Sequence, residues 1–112
     1  MRAEDYLLAL TTCPNEEVAE VLARLLVEAQ LAACVTCLPQ GRSVYRWQGR
    51  LESSDELLLL IKTRAVCYDA LEQAIKAHHP YELPEIIAVP VVKGEMGYLT
   101  WIDAMTKGVP CK

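Results

Sequence analysis

This sequence of 112 residues has no excess of positive charge, because its 15 Asp and Glu residues outnumber its 11 Lys and Arg residues. The formal net charge is -4 and the isoelectric point is about 5.1. Nucleic acids and anionic membranes are bound through basic patches, so this balance argues against both partners. Long apolar runs are missing too, since runs such as Leu57–Ile61 are far shorter than the ~18–20 residues of a membrane span. Met1–Asp5 lacks the pattern of a signal peptide, and we therefore expect a cytoplasmic protein.

Familiar catalytic motifs are also absent: there is no GxSxG, P-loop, GxGxxG or HExxH. The five cysteines include one CxxC, Cys34–Cys37, and no second pair that would complete a zinc site. On a strand these two thiols would point to opposite faces with α-carbons ~10 Å apart, whereas a disulfide needs ~7 Å or less. We predict no enzymatic activity and interpret the cysteines as reduced thiols packed as small hydrophobic side chains.

Apolar residues, in contrast, are plentiful at 53% of the chain. A domain usually takes ~100–200 residues, so residues 1–112 are expected to form a single domain. A monomer of this size buries only ~60–65% of its unfolded surface, which leaves apolar surface to cover. The composition therefore predicts an oligomer.

The periodicity of apolar residues alternates between strand and helix along the chain. Asn15, followed by two acidic residues, has the pattern of a helix start, and Pro80 is expected to end a later helix. The predicted order is strand 5–12, helix 15–29, strand 31–48 broken at 39–41, strand 51–64, helix 68–78, strand 85–92 and a short helix 97–105. This order predicts an α+β fold, the ferredoxin-like β-α-β-β-α-β split sandwich with a C-terminal helix.

The two middle strands would form a hairpin with arms of ~12–16 residues, against ~5–6 for a usual strand. Such a hairpin should project beyond the sheet of one subunit and expose strand edges together with Tyr45 and Trp47. Pairing with a neighbouring subunit would cover them.

The candidate metal ligands are His78, His79 and Cys13. The two histidines end the second helix, and Cys13 precedes the first helix, whose N-terminus would favour a thiolate. A thiolate with imidazoles is a soft donor set that prefers copper or zinc. The structural alternative is a histidine that stabilises the helix C-terminus by ~0.3–1 kcal/mol. Glu82 and Glu85 could add carboxylate ligands or form a solvated loop.

Several segments jointly resemble the CutA divalent-cation tolerance family, in the right order between about residues 6 and 103. They are Thr11–Pro14, Leu31–Val35, Tyr45-x-Trp47-x-Gly49, Lys62–Arg64, His79–Ile87 and Tyr98–Ile102. The resemblance implies a ferredoxin-like subunit in a tight homotrimer shaped like the PII signalling proteins, linked to tolerance of copper and other divalent ions, with no established enzymatic activity.

The resemblance also implies a copper ligand set of a cysteine and a histidine pair before Pro-Tyr. His78 and His79 match the pair, whereas Thr11 occupies the position of the family cysteine and Cys13 lies two residues later. The leading hypothesis is thus a cytoplasmic homotrimer that binds copper or another divalent metal. The alternative is a PII-like sensor or scaffold that binds a small ligand or a protein at clefts between subunits, with Glu82, Glu85, Lys62 and Arg64 as polar contacts.

Overall fold

A four-stranded antiparallel sheet is the framework of the chain. The computed structural model describes residues 5–107. The elements are β1 (Tyr6–Cys13), α1 (Glu16–Glu28), β2 (Cys34–Trp47), β3 (Arg50–Arg64), a 3-10 turn (Ala65–Cys67) that leads into α2 (Tyr68–His78), β4 (Ile86–Pro90) and α3 (Met96–Met105). The strand order is β2-β3-β1-β4, so β2 and β4 are the edges. The α+β ferredoxin-like prediction is confirmed.

The single-domain prediction for residues 1–112 extends past the described part of the chain at both ends, and Cys111 lies outside it. For the full length the single domain stays a prediction. No helix within residues 5–107 combines the length and the apolar character needed to cross a membrane.

The helix boundaries have the local causes predicted from the sequence. The Asn15 side chain caps α1 by accepting a 2.9 Å hydrogen bond from the Val18 amide, which satisfies one of the free N–H groups of the first turn. At the other end of the helical layer, α2 ends at His78, and His79 is extended at φ −85° and ψ 137°. A residue before proline is pushed out of the helical region, so Pro80 ends the helix.

One face of the sheet packs against α1 and α2 and forms the main core. Ala9, Thr11 and Cys13 alternate along β1 toward this face and are fully buried. The larger side chains that fill the core come from both helices and from β3: Leu22, Leu26, Leu59, Ile61, Leu71 and Ile75. The Thr11 hydroxyl is buried there without a hydrogen-bond partner in the described part of the chain.

Within the part of the chain that the structure describes, the opposite face of the sheet is covered at one end only. There α3 packs Leu99 and Ile102 around Tyr6, whose hydroxyl donates a 2.9 Å hydrogen bond to Asp103. Alternate residues of β1, β3 and β4 on the rest of this face are partly or largely exposed. We call these apolar residues the open face: Leu8, Leu10, Leu58, Leu60, Ile87 and Val89.

The β2–β3 hairpin is long, with strands of 14 and 15 residues, and the molecule measures 44 × 25 × 23 Å. Its turn is Gln48–Gly49, one residue earlier than predicted, because Trp47 pairs with Arg50. Both turn residues have positive φ, 51° and 81°, as a type I′ turn requires. The predicted break at residues 39–41 is an irregularity within one strand, where the register shifts between Leu38 and Gly41.

Candidate functional site

His79 is held by two backbone hydrogen bonds at the end of α2. Its Nδ1 accepts a 3.1 Å bond from the Tyr81 amide, so its Nε2 carries the proton and donates a 2.7 Å bond to the Thr12 carbonyl oxygen. The side chain is only 8% exposed, and its ring centroid lies 4.7 Å from that of Tyr81. Both ring nitrogens are therefore already engaged.

His78 occupies a different environment from its neighbour. It is exposed, and its Nδ1 lies 3.0 Å from the Ala74 carbonyl oxygen one turn earlier in α2. This is the position in which a histidine stabilises a helix C-terminus. The two adjacent imidazoles thus engage different partners, since one contacts its own helix and the other the end of β1.

Cys13 ends β1 beside the carbonyl to which His79 donates. Its side chain is fully buried, and burial is the main cause that raises the pKa of the thiol to about 11, with smaller contributions from Cys37 and Glu56. The expectation that the start of α1 would favour a thiolate is wrong, because loss of solvation outweighs the helix terminus. Cys34 and Cys37 are free thiols in β2, as their spacing predicted.

These donors do not form a preformed copper site. Cys13 is a protonated, buried thiol at neutral pH, and a ligating His79 would have to give up a backbone hydrogen bond. Among residues 5–107, no three His, Cys, Asp or Glu side chains converge as a metal-binding group. His78 is the accessible donor of the predicted set.

A pocket of about 760 Å³ opens between the hairpin and the loop after α2. The hairpin contributes Glu56 of β3 and part of β2, and the loop contributes Pro80, Tyr81 and neighbouring residues. The complete lining is Thr12, Ser43, Val44, Tyr45, Arg46, Trp47, Glu56, Pro80, Tyr81, Glu82, Leu83 and Glu85. The volume is within the ~300–1,000 Å³ typical of small-molecule sites.

Glu56 and Tyr81 join the two walls of this pocket. The Tyr81 hydroxyl donates a 2.7 Å hydrogen bond to Glu56 Oε2, and the Glu56 side chain is only 7% exposed. Burial and this carboxylate together raise the pKa of Tyr81 well above its usual range. Glu56 was not predicted from the sequence, because a single carboxylate in a strand forms no motif. The apolar stretch that follows Glu56 is the only sequence signal of its burial.

The four polar contacts predicted for a cleft separate into two pairs. Glu82 and Glu85 line the pocket. Lys62 instead lies 3.8 Å from the Cys34 sulfur, and buried Arg64 donates a 2.7 Å hydrogen bond to Thr106 Oγ1. Only the carboxylates of the predicted contact set therefore belong to this site.

Comparison with known proteins gives a consistent family match. Residues 7–105 match the model of the family described as CutA1 divalent ion tolerance protein. The divalent-cation tolerance protein CutA of Thermus thermophilus is 47% identical over 97 residues, which is 87% of this chain and 94% of that protein. Protein CutA of Mus musculus is 46% identical over 101 residues, 90% of this chain and 57% of the mouse protein.

A solved structure shows the same fold. The crystal structure of CutA from Xylella fastidiosa superposes with a TM-score of 0.90 at 50% identity, covering 92% of this chain and 99% of that one. The chain thus spans nearly the whole of the bacterial relatives and little more than half the length of the mouse relative.

Proposed function

The chain belongs to the CutA1 family of divalent ion tolerance proteins, and from this premise we propose that it acts as a cytoplasmic homotrimer that contributes to the tolerance of divalent cations without catalysing a reaction. The relatives' names support the tolerance role. The four free thiols at Cys13, Cys34, Cys37 and Cys67 suit the reducing conditions of the cytoplasm. Detection of the protein in the cytosolic fraction tests the location.

The observation that carries the assembly is the open face. Its residues lie on the two central strands, β1 and β3, and on the edge strand β4, where Ile87 and Val89 are about half exposed in the single chain. Contiguous exposed apolar surface of this kind marks protein–protein interfaces. The hairpin adds exposed Val44, Tyr45, Trp47 and Leu51. Among the described residues β2 and β4 each have one neighbouring strand, so the outer edge of each is available to pair with another copy.

Sedimentation velocity at micromolar concentration tests the homotrimer. The expected species has three times the 12.5 kDa mass of the chain. A monodisperse 12.5 kDa species would contradict the assembly while leaving the family assignment intact.

Binding of copper or another divalent metal is the second part of the proposal. It is supported by the family and by the exposed imidazole of His78, with His79 and Cys13 as the further predicted ligands. These two would have to leave the arrangement seen in the structure.

Calorimetric titration of the reduced protein with copper tests this part. The double variant His78→Ala/His79→Ala should lose affinity relative to the wild type. Equal affinity of the wild type and the double variant would refute the histidine assignment.

The second candidate function is a PII-like sensor or scaffold, and the observation that favours it is the pocket between the hairpin and the loop after α2. A sensor of this type would bind a small ligand at a cleft formed with a neighbouring subunit. Thermal-shift screening with metabolites and metal ions side by side separates the two functions. Stabilisation by organic ligands without stabilisation by metals would favour the sensor.

A further inference from the structure

Glu56 is a buried carboxylate with no positively charged partner in the described part of the chain. It lines the pocket, and its hydrogen bond from Tyr81 occupies one oxygen, Oε2. The ion pairs within residues 5–107 join Arg24 to Glu20, Arg42 to Asp55 and Arg64 to Asp103, and none includes Glu56. Buried charges in proteins are normally paired. A carboxylate without a cationic partner, on a residue that is only 7% exposed and lines a pocket, therefore points to a positively charged ligand.

The rest of the lining also favours a cation. The exposed residues Glu82 and Glu85 add two carboxylates to the lining, against the single guanidinium of Arg46. The three carboxylates and one guanidinium leave the pocket with excess negative charge, which attracts cations.

Three aromatic side chains, Tyr45, Trp47 and Tyr81, form part of the walls. Hydrogen bonds hold two of these rings in place. The Tyr45 hydroxyl forms one with Ser54 Oγ at 2.8 Å, and the Tyr81 hydroxyl donates one to Glu56. Ammonium and guanidinium groups are attracted to the faces of aromatic rings within ~6 Å of the centroid.

We propose that this pocket binds an organic ammonium cation, with Glu56 as its charge partner and the rings of Tyr45, Trp47 and Tyr81 as its apolar contacts. A bare metal ion fits the site less well. The pocket's carboxylates belong to no metal-binding group of three within residues 5–107, a metal gains little from three aromatic walls, and about 760 Å³ is far larger than one ion needs. The proposal rests on the sensor function and names its ligand class.

Three probes of nearly the same shape test the charge requirement. Benzylammonium is a cation, benzyl alcohol is neutral and benzoate is an anion. In calorimetric titrations at low salt and about pH 7, benzylammonium should bind saturably, and the other two should bind at least about tenfold more weakly. Equal affinity for benzylammonium and benzyl alcohol would overturn the proposal. It would also be overturned if magnesium chloride displaced benzylammonium and sodium chloride at equal ionic strength did not, because the site would then prefer a metal ion.

Glu56→Gln is the decisive variant, because the amide oxygen can still accept the Tyr81 hydrogen bond while the charge is lost. It should bind benzylammonium at least about tenfold more weakly than the wild type. Glu17→Gln, an exposed position on α1 outside the pocket, is the matched control for net charge and should bind like the wild type. Unchanged binding by Glu56→Gln would contradict the proposal.

Trp47→Leu is a second variant that removes an aromatic wall without changing charge. It should weaken benzylammonium more than benzyl alcohol, because only the cation gains from the ring's electron-rich face. A loss that is equal for both probes would show that the ring acts as apolar surface alone and would overturn its proposed role.

Sedimentation of the same samples separates this proposal from the homotrimer. If the protein sediments as a trimer and binds none of the probes, the ligand proposal is overturned and the homotrimer stands. In that case a neighbouring copy fills the pocket, or the pocket binds a ligand of another class. A monomer that binds benzylammonium through Glu56 would support the ligand proposal and refute the trimer.

Discussion

The imidazole of His79 donates its Nε2 proton to the carbonyl oxygen of Thr12, 67 residues away in the sequence, across 2.7 Å. This bond ties the end of α2 to the end of β1. The Tyr81 amide donates a hydrogen bond to the other ring nitrogen of His79. The histidine that the family resemblance implies as a copper ligand thus already uses both of its ring nitrogens in hydrogen bonds to the backbone.

Replacement of the two histidines should have unequal effects on stability. His79→Ala leaves the part-buried Thr12 carbonyl and the Tyr81 amide without their partners, so the free energy of unfolding should fall by about 1–3 kcal/mol. His78→Ala removes an exposed ring and should cost at most about 1 kcal/mol. Urea unfolding of both variants measures the difference, and equal losses would contradict the structural role of His79.

Thr11→Val should raise the stability of the protein. The Thr11 hydroxyl is buried in the core with no hydrogen-bond partner among residues 5–107, and valine has nearly the same shape without the polar atom. We expect a gain of about 1 kcal/mol in the free energy of unfolding. Thr63→Val is the matched control, because the equally buried Thr63 hydroxyl donates a 2.6 Å bond to the Leu31 carbonyl oxygen. That variant should lose stability, and a loss in both would contradict the account of Thr11.

Gly41→Ala should disturb the hairpin beside Glu56. A Cβ at this position would lie 2.7 Å from the backbone oxygen of Glu56, and a backbone atom cannot rotate away as a side chain can. The free energy of unfolding should fall by about 1–3 kcal/mol. Gly49→Asn in the turn has open space and a residue type that tolerates positive φ, so its loss should be smaller. Urea unfolding compares them, and the reverse order of losses would refute the close contact.

Two β-branched residues of nearly equal exposure distinguish the proposed interface from ordinary surface. Ile87 on the open face is 51% exposed in the single chain and Val21 on α1 is 52% exposed. Ile87→Glu should dissociate the assembly, because it buries a charge between subunits, whereas Val21→Glu should leave it intact. Sedimentation velocity provides the readout. Dissociation by both variants, or by neither, would place the interface elsewhere.

The buried Cys13 thiol should make stability sensitive to alkaline pH. The unfolded thiol loses its proton near pH 9, whereas in the folded chain the pKa is about 11. Folding therefore favours the protonated form, and this contribution, complete below pH 9, is lost as the pH rises from 9 to 11. The free energy of unfolding should fall by up to about 1.4 kcal/mol per pH unit in that window.

Cys13→Ala isolates this contribution from that of the tyrosines. Its free energy of unfolding should fall less steeply than that of the wild type between pH 9 and 11. Urea unfolding at several pH values measures both slopes. Identical slopes in the wild type and the variant would refute the raised pKa.

Local signals were enough to predict the elements and their order. The Asn15 cap, the proline after α2 and the alternation of apolar residues each act over a few residues, and all three appear in the structure. The observed turn, Gln48–Gly49, lies one residue before the predicted position. The register of a hairpin depends on how its two strands pair, and the sequence of the turn alone does not determine that pairing.

The site was harder to predict than the fold, because its contacts join distant parts of the chain. Glu82 and Glu85 were identified from their loop, and both line the pocket. Glu56 and Tyr81 are 25 residues apart and meet only because the loop after α2 folds back onto the hairpin. The state of Cys13 was predicted wrongly for a related reason: its position before a helix is a local feature, whereas its burial depends on the packing of both helices against the sheet.

Within residues 5–107, the two edge strands, β2 and β4, lie at opposite margins of the sheet, and each has a neighbouring strand on one side only. If β2 of one copy joins β4 of the next, the contact is head-to-tail. Each copy then offers two different surfaces and can bind two others, so assembly does not stop at a dimer. Such a contact ends only when the rotation between successive copies closes a ring, and otherwise it continues as a fibre. The angle between neighbouring copies therefore decides whether this small chain forms a finite particle or an endless filament, and substitutions that change this angle without weakening the contact should convert one into the other.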